Sequence, residues 1–412
     1  MRYSDKTYDF LLGYVNRCFR LSYSSLEYAG IGNIPADGAI IFAPNHANTL
    51  MDALAVLSLD NRAKVFVARA DIFKNKMAAP ILDFLKMLPI NRIRDGKDAL
   101  SENGEVFRQC IDALCAGLPF CILPEGTHRT MHSLLPLRKG IARIALEAIR
   151  DIPGDMPVRI VPVGLEYEDY FMFRSRLLVT VAEPIDVRAF AASVSQEPDA
   201  VFCRQLLKEI ESRIKASIVC LPDDERYNGL WEASNIFYSR QNRHDAPMIE
   251  RRAGLQKAVD MICKRHPELI GKAEESAALR RKLKIRLSSI TSFPTRGGVA
   301  IRCLGLLLIL PAAVAEALLL SPALATISIF RKLLKDKAFS NAIRFVTCFI
   351  LYRPLLLLGC LTAAFFHPIA SACILAAGWI APIVFYDYVH EIGQLISDIK
   401  YLKYKDSIPQ NF

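Results

Sequence analysis

The 412-residue sequence has no Cys-x-x-Cys pair, no Gly-x-Ser-x-Gly elbow and no Walker A loop. Each absence removes a class of protein. The 11 cysteines are odd in number and scattered between Cys18 and Cys373, which excludes a disulfide-stapled secreted fold; they read as reduced thiols of a cytosol-facing protein. Without the elbow there is no strained serine nucleophile of the α/β-hydrolase kind. Without the Walker A loop there is no P-loop phosphoryl chemistry, and Gly30-Ile-Gly32 lacks the third glycine of a dinucleotide loop. No metal is expected: His128 and His132 are four apart, but no Glu follows His128, and His390-Glu391 lacks a second histidine. No cleavable leader is expected either, because Arg2, Asp5, Lys6 and Asp9 stand where its apolar core would be.

What the sequence does have is 52% hydrophobic content and a formal net charge of +10. That content excludes a disordered chain, and the length suggests two to three structural units. Both excesses are local. From Arg251 to Arg296 there are twelve Lys/Arg against four Asp/Glu, which supplies most of the net charge. The long apolar runs begin near Cys303 and end near Tyr386. Three regions are expected: an α/β domain over 1–220, a basic helical linker over 221–296, and membrane-associated or transmembrane helices over 297–412.

In the first region, short apolar runs at 39–44, 64–68, 119–124, 159–164 and 177–182 have the pattern of buried strands. Helical stretches at 51–59, 77–87, 98–116, 137–151 and 197–217 alternate with them, which predicts an α/β fold. In 137–151, Leu137, Ile141, Ile144, Ala145 and Ala148 recur at spacings of three and four, so one face is buried. Residues 220–295, rich in Lys, Arg, Glu and Ala, predict two or three helices.

Between Cys303 and Phe330 the only charge is Glu316, flanked by Pro311 and Pro322. Each half is about 13 residues, roughly 20 Å of helix, short of a hydrocarbon core of about 30 Å. The segment from Arg331 to Arg344 carries five Lys/Arg against one Asp, which the positive-inside rule puts on the cytoplasmic side. If the N-terminal domain is on the cytoplasmic face too, residues 303–330 are expected to dip in and return, with Glu316 near the bend. Residues 345–366 and 369–386 would cross out and back; a pair of helices lying in the interface is the alternative. The basic run from Leu279 to Arg286 would be drawn to anionic headgroups by about 1 kcal/mol per Lys or Arg near the surface, or is a solvated helix face. Because this surplus borders an apolar tail, membrane lipids are the expected partner and nucleic acid is not.

Three segments place chemically useful residues at strand ends. In Pro44-Asn-His-Ala-Asn-Thr-Leu-Met-Asp52, His46 follows a strand and Asp52 lies in the next helix. A carboxylate on one ring nitrogen fixes the tautomer and makes the other nitrogen a base for a hydroxyl proton. On spacing alone, a loop histidine and an Asp complementing a helix dipole fit equally well. Glu125 and Gly126, in Leu123-Pro-Glu-Gly-Thr-His128, sit at another strand's C-terminal end, where ligands are commonly met. Arg92 and Arg94, after Leu88-Pro-Ile-Asn91, offer the fork chemistry that grips phosphate, or are a solvated pair.

Together these segments resemble the glycerolipid acyltransferase family, which includes glycerol-3-phosphate and 1-acylglycerol-3-phosphate acyltransferases. The family's Asn-His-x4-Asp motif is represented by Asn45, His46 and Asp52, here with five intervening residues, a variant that occurs among the glycerol-phosphate relatives. The second motif is matched by Pro89-Ile-Asn-Arg92, with Lys86-Met-Leu88 in place of the usual glycine. The third is Leu123-Pro-Glu-Gly-Thr127, with Leu for the usual Phe, and the fourth is Ile160-Val-Pro-Val-Gly164. The resemblance covers about residues 25–190 and implies a mixed sheet flanked by helices. It implies His46 and Asp52 as catalytic residues, with Asn45, Arg92, Glu125, Gly126, Thr127 and Pro162 binding substrate. The implied reaction moves a fatty acyl group from acyl-CoA or acyl-carrier protein to a glycerol-phosphate-type hydroxyl in phospholipid biosynthesis, with 1-acylglycerol-3-phosphate ahead of glycerol-3-phosphate. No further cofactor is implied. A thioester hydrolase sharing the motif and a noncatalytic lipid-binding relative are the competing readings.

Overall fold

The structure, a computed structural model, describes residues 6–76, 78–91, 103–194, 198–241 and 246–408. The chain divides into two compact units. The first comprises the chain up to Arg20, Leu26–Tyr170 and Leu177–Ile218; the second comprises Leu21–Ser25, Phe171–Arg176 and everything from Val219.

The first unit is built on a sheet. Its order is β1 (Ser25–Ala29), β7 (Arg176–Val181), β6 (Val158–Tyr167), β2 (Ala39–Pro44), β5 (Phe120–Cys121), β3 (Val65–Arg69) and β4 (Met87–Ile90), with β8 (Ile185–Asp186) also paired to β6. Strands β2 to β6 are mutually parallel, whereas β7 and β8 run antiparallel to β6, so the sheet is mixed. β2 is buried along its whole length because Ala39-Ile-Ile-Phe-Ala-Pro44 offers no polar side chain to either face, as a central parallel strand requires. The flanking helices are α1 (Lys6–Leu21), α2 (Leu50–Leu57), α3 (Ala78–Phe84), α4 (Asn103–Cys115), α5 (Gly140–Asp151), α6 (Val187–Ser193) and α7 (Asp199–Ser217). α5 buries Ile141, Ala142, Ile144, Ala145 and Ala148, the face its periodicity predicts. α7 ends so close to β6 that a Cβ on Gly164 would stand 2.4 Å from that of Ser217.

All five expected strands form, although the run at 119–124 is a strand only over Phe120–Cys121. β1, β4 and β8 lie outside the apolar runs: β1 is only half buried, β4 is a four-residue edge, and β8 has two residues. What matters for function is that β2, β5 and β6 are parallel neighbours. The loops leaving them open at one edge of the sheet, where α/β proteins meet their ligands.

The second unit is helical. α8 (Tyr227–Gln241), α9 (Met248–Arg265), α10 (Glu268–Leu283) and α11 (Leu287–Thr291) make four helices where two or three were expected. The fourth arises because Lys284, at φ 55, ends α10 in the left-handed region and lets the chain restart. Leu230, Ala233, Leu255, Val259, Ile262 and Ala273 form their core. Buried Glu232 is held by Arg280 Nε at 2.9 and 3.0 Å, while Lys257, Lys264, Lys272, Arg281, Lys282 and Lys284 remain exposed.

The apolar tail folds as α12 (Arg296–Leu319), α13 (Ser321–Leu333), α14 (Ser340–Phe345), a π-helical segment (Val346–Leu351), α15 (Tyr352–Ala363) and α16 (Pro368–Tyr404). Among the described residues, three stretches are long and apolar enough to cross a membrane: Arg296–Leu319, Lys337–Ala363 and Pro368–Ser407. α12 corrects the expected bend at Glu316. It runs unbroken through Pro311 and Glu316 for 24 residues, about 36 Å. The break comes at Leu320–Ser321, where Pro322 sits in the first turn of α13, a position that needs no amide hydrogen. Cross-helix contacts fix the directions. Arg302 bonds Asp398 at 2.5 Å and Tyr388 donates to the Leu306 carbonyl at 3.1 Å, so α12 and α16 are antiparallel. Tyr352 packs on Gly378 and Arg344 over the Tyr386 ring, so α14 and α15 are antiparallel to α16 as well. α12 and α15 therefore point the same way, and α13, 13 residues or about 20 Å, makes the return.

Candidate active site

β2 delivers the chain to its C-terminal edge at Pro44, and a short loop precedes α2. Thr49, at φ 49 and ψ −119, holds a backbone region that side chains rarely adopt. The turn at Thr49 brings Asp52, in the first turn of α2, back over His46. Asp52 is fully buried. Its Oδ2 accepts from His46 Nδ1 at 2.8 Å, from the Ala47 amide at 2.9 Å and from the Asn48 amide at 2.7 Å. Its Oδ1 accepts from the Tyr167 hydroxyl at 2.7 Å. A carboxylate facing Nδ1 makes that nitrogen the donor and leaves the lone pair on Nε2. The His46 ring remains partly open to solvent.

Glu125 follows β5, next to β2. Its Oε1 accepts from the His46 amide at 2.5 Å and its Oε2 from the Leu135 amide at 2.9 Å. Burial pushes its carboxyl up to about 7, against the pull of those two backbone bonds. Glu125 therefore ties the third-motif loop to the base through the backbone. Gly126 makes the turn at φ 68, its amide donating to the Leu123 carbonyl at 3.1 Å. Thr127 is exposed beside it. The Arg129 amide donates to the His46 carbonyl at 3.1 Å, and the His128 ring stands edge-on to His46 with centroids 5.6 Å apart.

Asn45 and Pro162, expected at the substrate, lie where β2 and β6 pair. Asn45 spends its side-chain amide on Leu165, donating to the carbonyl at 3.1 Å and accepting from the amide at 2.7 Å, which extends the β2–β6 pairing one step past Pro44. Pro162 is buried within β6 opposite Ala43. Arg92 and Arg94 lie outside the described residues.

The end of β6 supplies what the motifs do not include. Besides Tyr167 on Asp52, the Tyr170 carbonyl accepts from Asn48 Nδ2 at 3.1 Å. Buried His132 places Nδ1 3.0 Å from Glu166 and 3.2 Å from the Tyr170 hydroxyl. The signal for these residues is the polar–aromatic run Glu166-Tyr-Glu-Asp-Tyr170, which directly follows the fourth motif.

Residues 25–166 match the family model described as Acyltransferase. Glycerol-3-phosphate O-acyltransferase 2 of Saccharomyces cerevisiae is 30% identical over 152 residues, 36% of this chain and 20% of that protein. Glycerol-3-phosphate O-acyltransferase 1 of the same yeast is 33% identical over 124 residues, 29% of this chain and 15% of that protein. The aligned region thus spans a fifth or less of these relatives. The crystal structure of a 1-acyl-sn-glycerophosphate acyltransferase from Thermotoga maritima aligns at a TM-score of 0.39 and 21% identity, over 52% of this chain and 81% of that one. Over residues 25–166 the chain is thus similar to the Acyltransferase family model, with glycerol-3-phosphate O-acyltransferases among the relatives it resembles there.

Proposed function

We propose that this protein transfers a fatty acyl group from an acyl thioester to a hydroxyl of a glycerol-phosphate-type acceptor. The His46–Asp52 bond of 2.8 Å, at the sheet edge where β2, β5 and β6 end, carries this reading. With Nδ1 held by Asp52, Nε2 takes the acceptor's hydroxyl proton as its oxygen attacks the thioester carbonyl. The tetrahedral oxyanion collapses, the C–S bond breaks, and the imidazolium returns its proton to the leaving sulfur. A thiol of pKa about 8.5 leaves far more readily than an alcohol, so the step needs no acyl-enzyme. Glu125 serves this step by fixing the His46 backbone.

Glycerol-3-phosphate is the first acceptor to consider, supported by the names of the yeast relatives and by the five-residue spacing between His46 and Asp52. 1-Acylglycerol-3-phosphate is the second, supported by the apolar helices on the same chain, since that acceptor resides in the bilayer. The donor in this proposal is acyl-CoA or acyl-carrier protein, and the catalytic unit works on the cytoplasmic face of a membrane. The test is release of free thiol by the full chain in lipid vesicles, with each donor and each acceptor, for wild type and His46→Ala. Release that requires acceptor and is lost in the variant supports the proposal. Release without acceptor would instead indicate a hydrolase, and equal release from both proteins would exclude catalysis by His46.

A further inference from the structure

Asp52 is held from two sides, and only one of them belongs to the recognised motifs. Its Oδ2 takes His46 and two loop amides, all from residues 46–48. Its Oδ1 takes the Tyr167 hydroxyl, from a different strand, 115 residues away. Tyr167 and Asp52 are both fully buried, so no water stands ready to replace that bond. We infer that Tyr167 is a positioning residue for the base: its hydroxyl fixes the rotation of the Asp52 carboxylate and so keeps Oδ2 on His46 Nδ1. This rests on the acyl-transfer reading for its consequence in catalysis, and on geometry alone for its effect on His46.

The surroundings give the bond its weight. A carboxylate can rotate about its own axis, and a rotation that satisfied the two amides with either oxygen would misdirect His46. One donor on Oδ1 removes that freedom. Tyr167 is itself confined: its ring packs on Tyr170 at 5.6 Å, and Tyr170 lies tilted against His132 at 5.0 Å, which Glu166 holds at 3.0 Å. The Asn48 side chain donates to the Tyr170 carbonyl, so the segment that carries Tyr167 also grips the loop that carries His46. The charged and titratable groups that face the pair are therefore Tyr167 from β6, Cys121 from β5, and Glu125 and His128 from the loop after β5, with Tyr170, His132 and Glu166 behind.

Tyr167→Phe removes one hydroxyl and keeps the ring. Loss of a hydrogen bond to a buried charge predicts a roughly ten- to hundredfold fall in kcat, with KM for donor and acceptor within about twofold of wild type. In an Asp52→Ala background the same change should lower kcat no further. A second readout does not need turnover: the pH at which His46 becomes reactive to diethylpyrocarbonate, followed by mass spectrometry of its peptide. With the carboxylate free to turn Oδ2 off His46, the imidazolium loses its partner, so the midpoint moves to lower pH in Tyr167→Phe. An unmoved midpoint overturns the inference, as does a full kcat in Tyr167→Phe alongside an inactive His46→Ala. A moved midpoint in a protein that transfers no acyl group leaves Tyr167 as the positioning residue and removes the acyl-transfer reading alone.

Discussion

His46 Nδ1 lies 2.8 Å from Asp52 Oδ2, although the two residues are separated by a loop one residue longer than the family's usual spacing. The loop between them passes through Thr49 at φ 49, and the pair is in contact. The pair is then held from three parallel strands: β2 brings His46, β5 brings the Glu125 that holds its amide, and β6 brings the Tyr167 that bonds Asp52.

Asp52→Asn tests the charge of the pair with its shape kept. An amide oxygen can still accept from His46, Ala47 and Asn48, while the NH2 group meets the Tyr167 oxygen. The fold should therefore survive. The variant loses the carboxylate that stabilises the imidazolium, and kcat should fall by about 10²- to 10⁴-fold with little change in KM. Steady-state kinetics beside a thermal melt separates the two effects.

Glu125 makes stability depend on pH with a definite sign. Burial raises its carboxyl from 4.5 to about 7, so between those values the folded protein keeps a proton that the unfolded chain releases. Stability from this group is complete below about 4.5 and is lost as pH rises through 7, an effect of at most roughly 3 kcal/mol. Glu125→Gln removes the titration but turns its NH2 group toward either the His46 or the Leu135 amide. The variant should melt well below wild type at pH 5, and the gap should narrow by pH 7.5. A gap that stays constant across that range would assign Glu125 no titration of its own.

Gly126→Ala places a side chain where φ is 68 and where a Cβ would meet the Arg138 stem at 3.2 Å. The left-handed conformation costs about 1 kcal/mol or more for a residue with a Cβ. The exposed Arg138 side chain can move aside, so the strain falls on the turn that carries Glu125. The expectation is a loss of a few degrees in Tm and a severalfold fall in kcat, both read on one preparation.

The exposed cysteines report membrane placement. Cys115 is exposed on α4, whereas Cys303 and Cys373 are exposed on helices whose outer faces are apolar. In sealed vesicles, a membrane-impermeant maleimide should label Cys115 from the cytoplasmic side only. Cys303 and Cys373 should resist it from both sides, because lipid covers them. Labelling of Cys303 at the rate of Cys115 would mean that α12 does not enter the bilayer.

The sheet was legible because β2, β3, β6 and β7 are short apolar runs between helices, and the sequence motifs mark where β2, β5 and β6 end. What stayed hidden has physical reasons. β4 and β8 are too short for periodicity to register, and the length of α12 was obscured by Pro311, which a helix in lipid tolerates. The pairing of Asn45 with Leu165 spans 120 residues and leaves no trace in local sequence. Tyr167 was hidden for the same reason: its partner Asp52 is 115 residues away.

The central claim is that His46 takes a proton from the acceptor hydroxyl and that the acyl group then moves in one step. Its most direct test is turnover of labelled acyl thioester by the vesicle-embedded chain, with glycerol-3-phosphate as acceptor and mass spectrometry of both lipid and protein. The account predicts labelled acylglycerol phosphate from wild type, a loss of at least about 10²-fold in His46→Ala, and no acylated residue on the protein in either case. Undiminished product from His46→Ala, or a chemically competent acyl-enzyme, would contradict it.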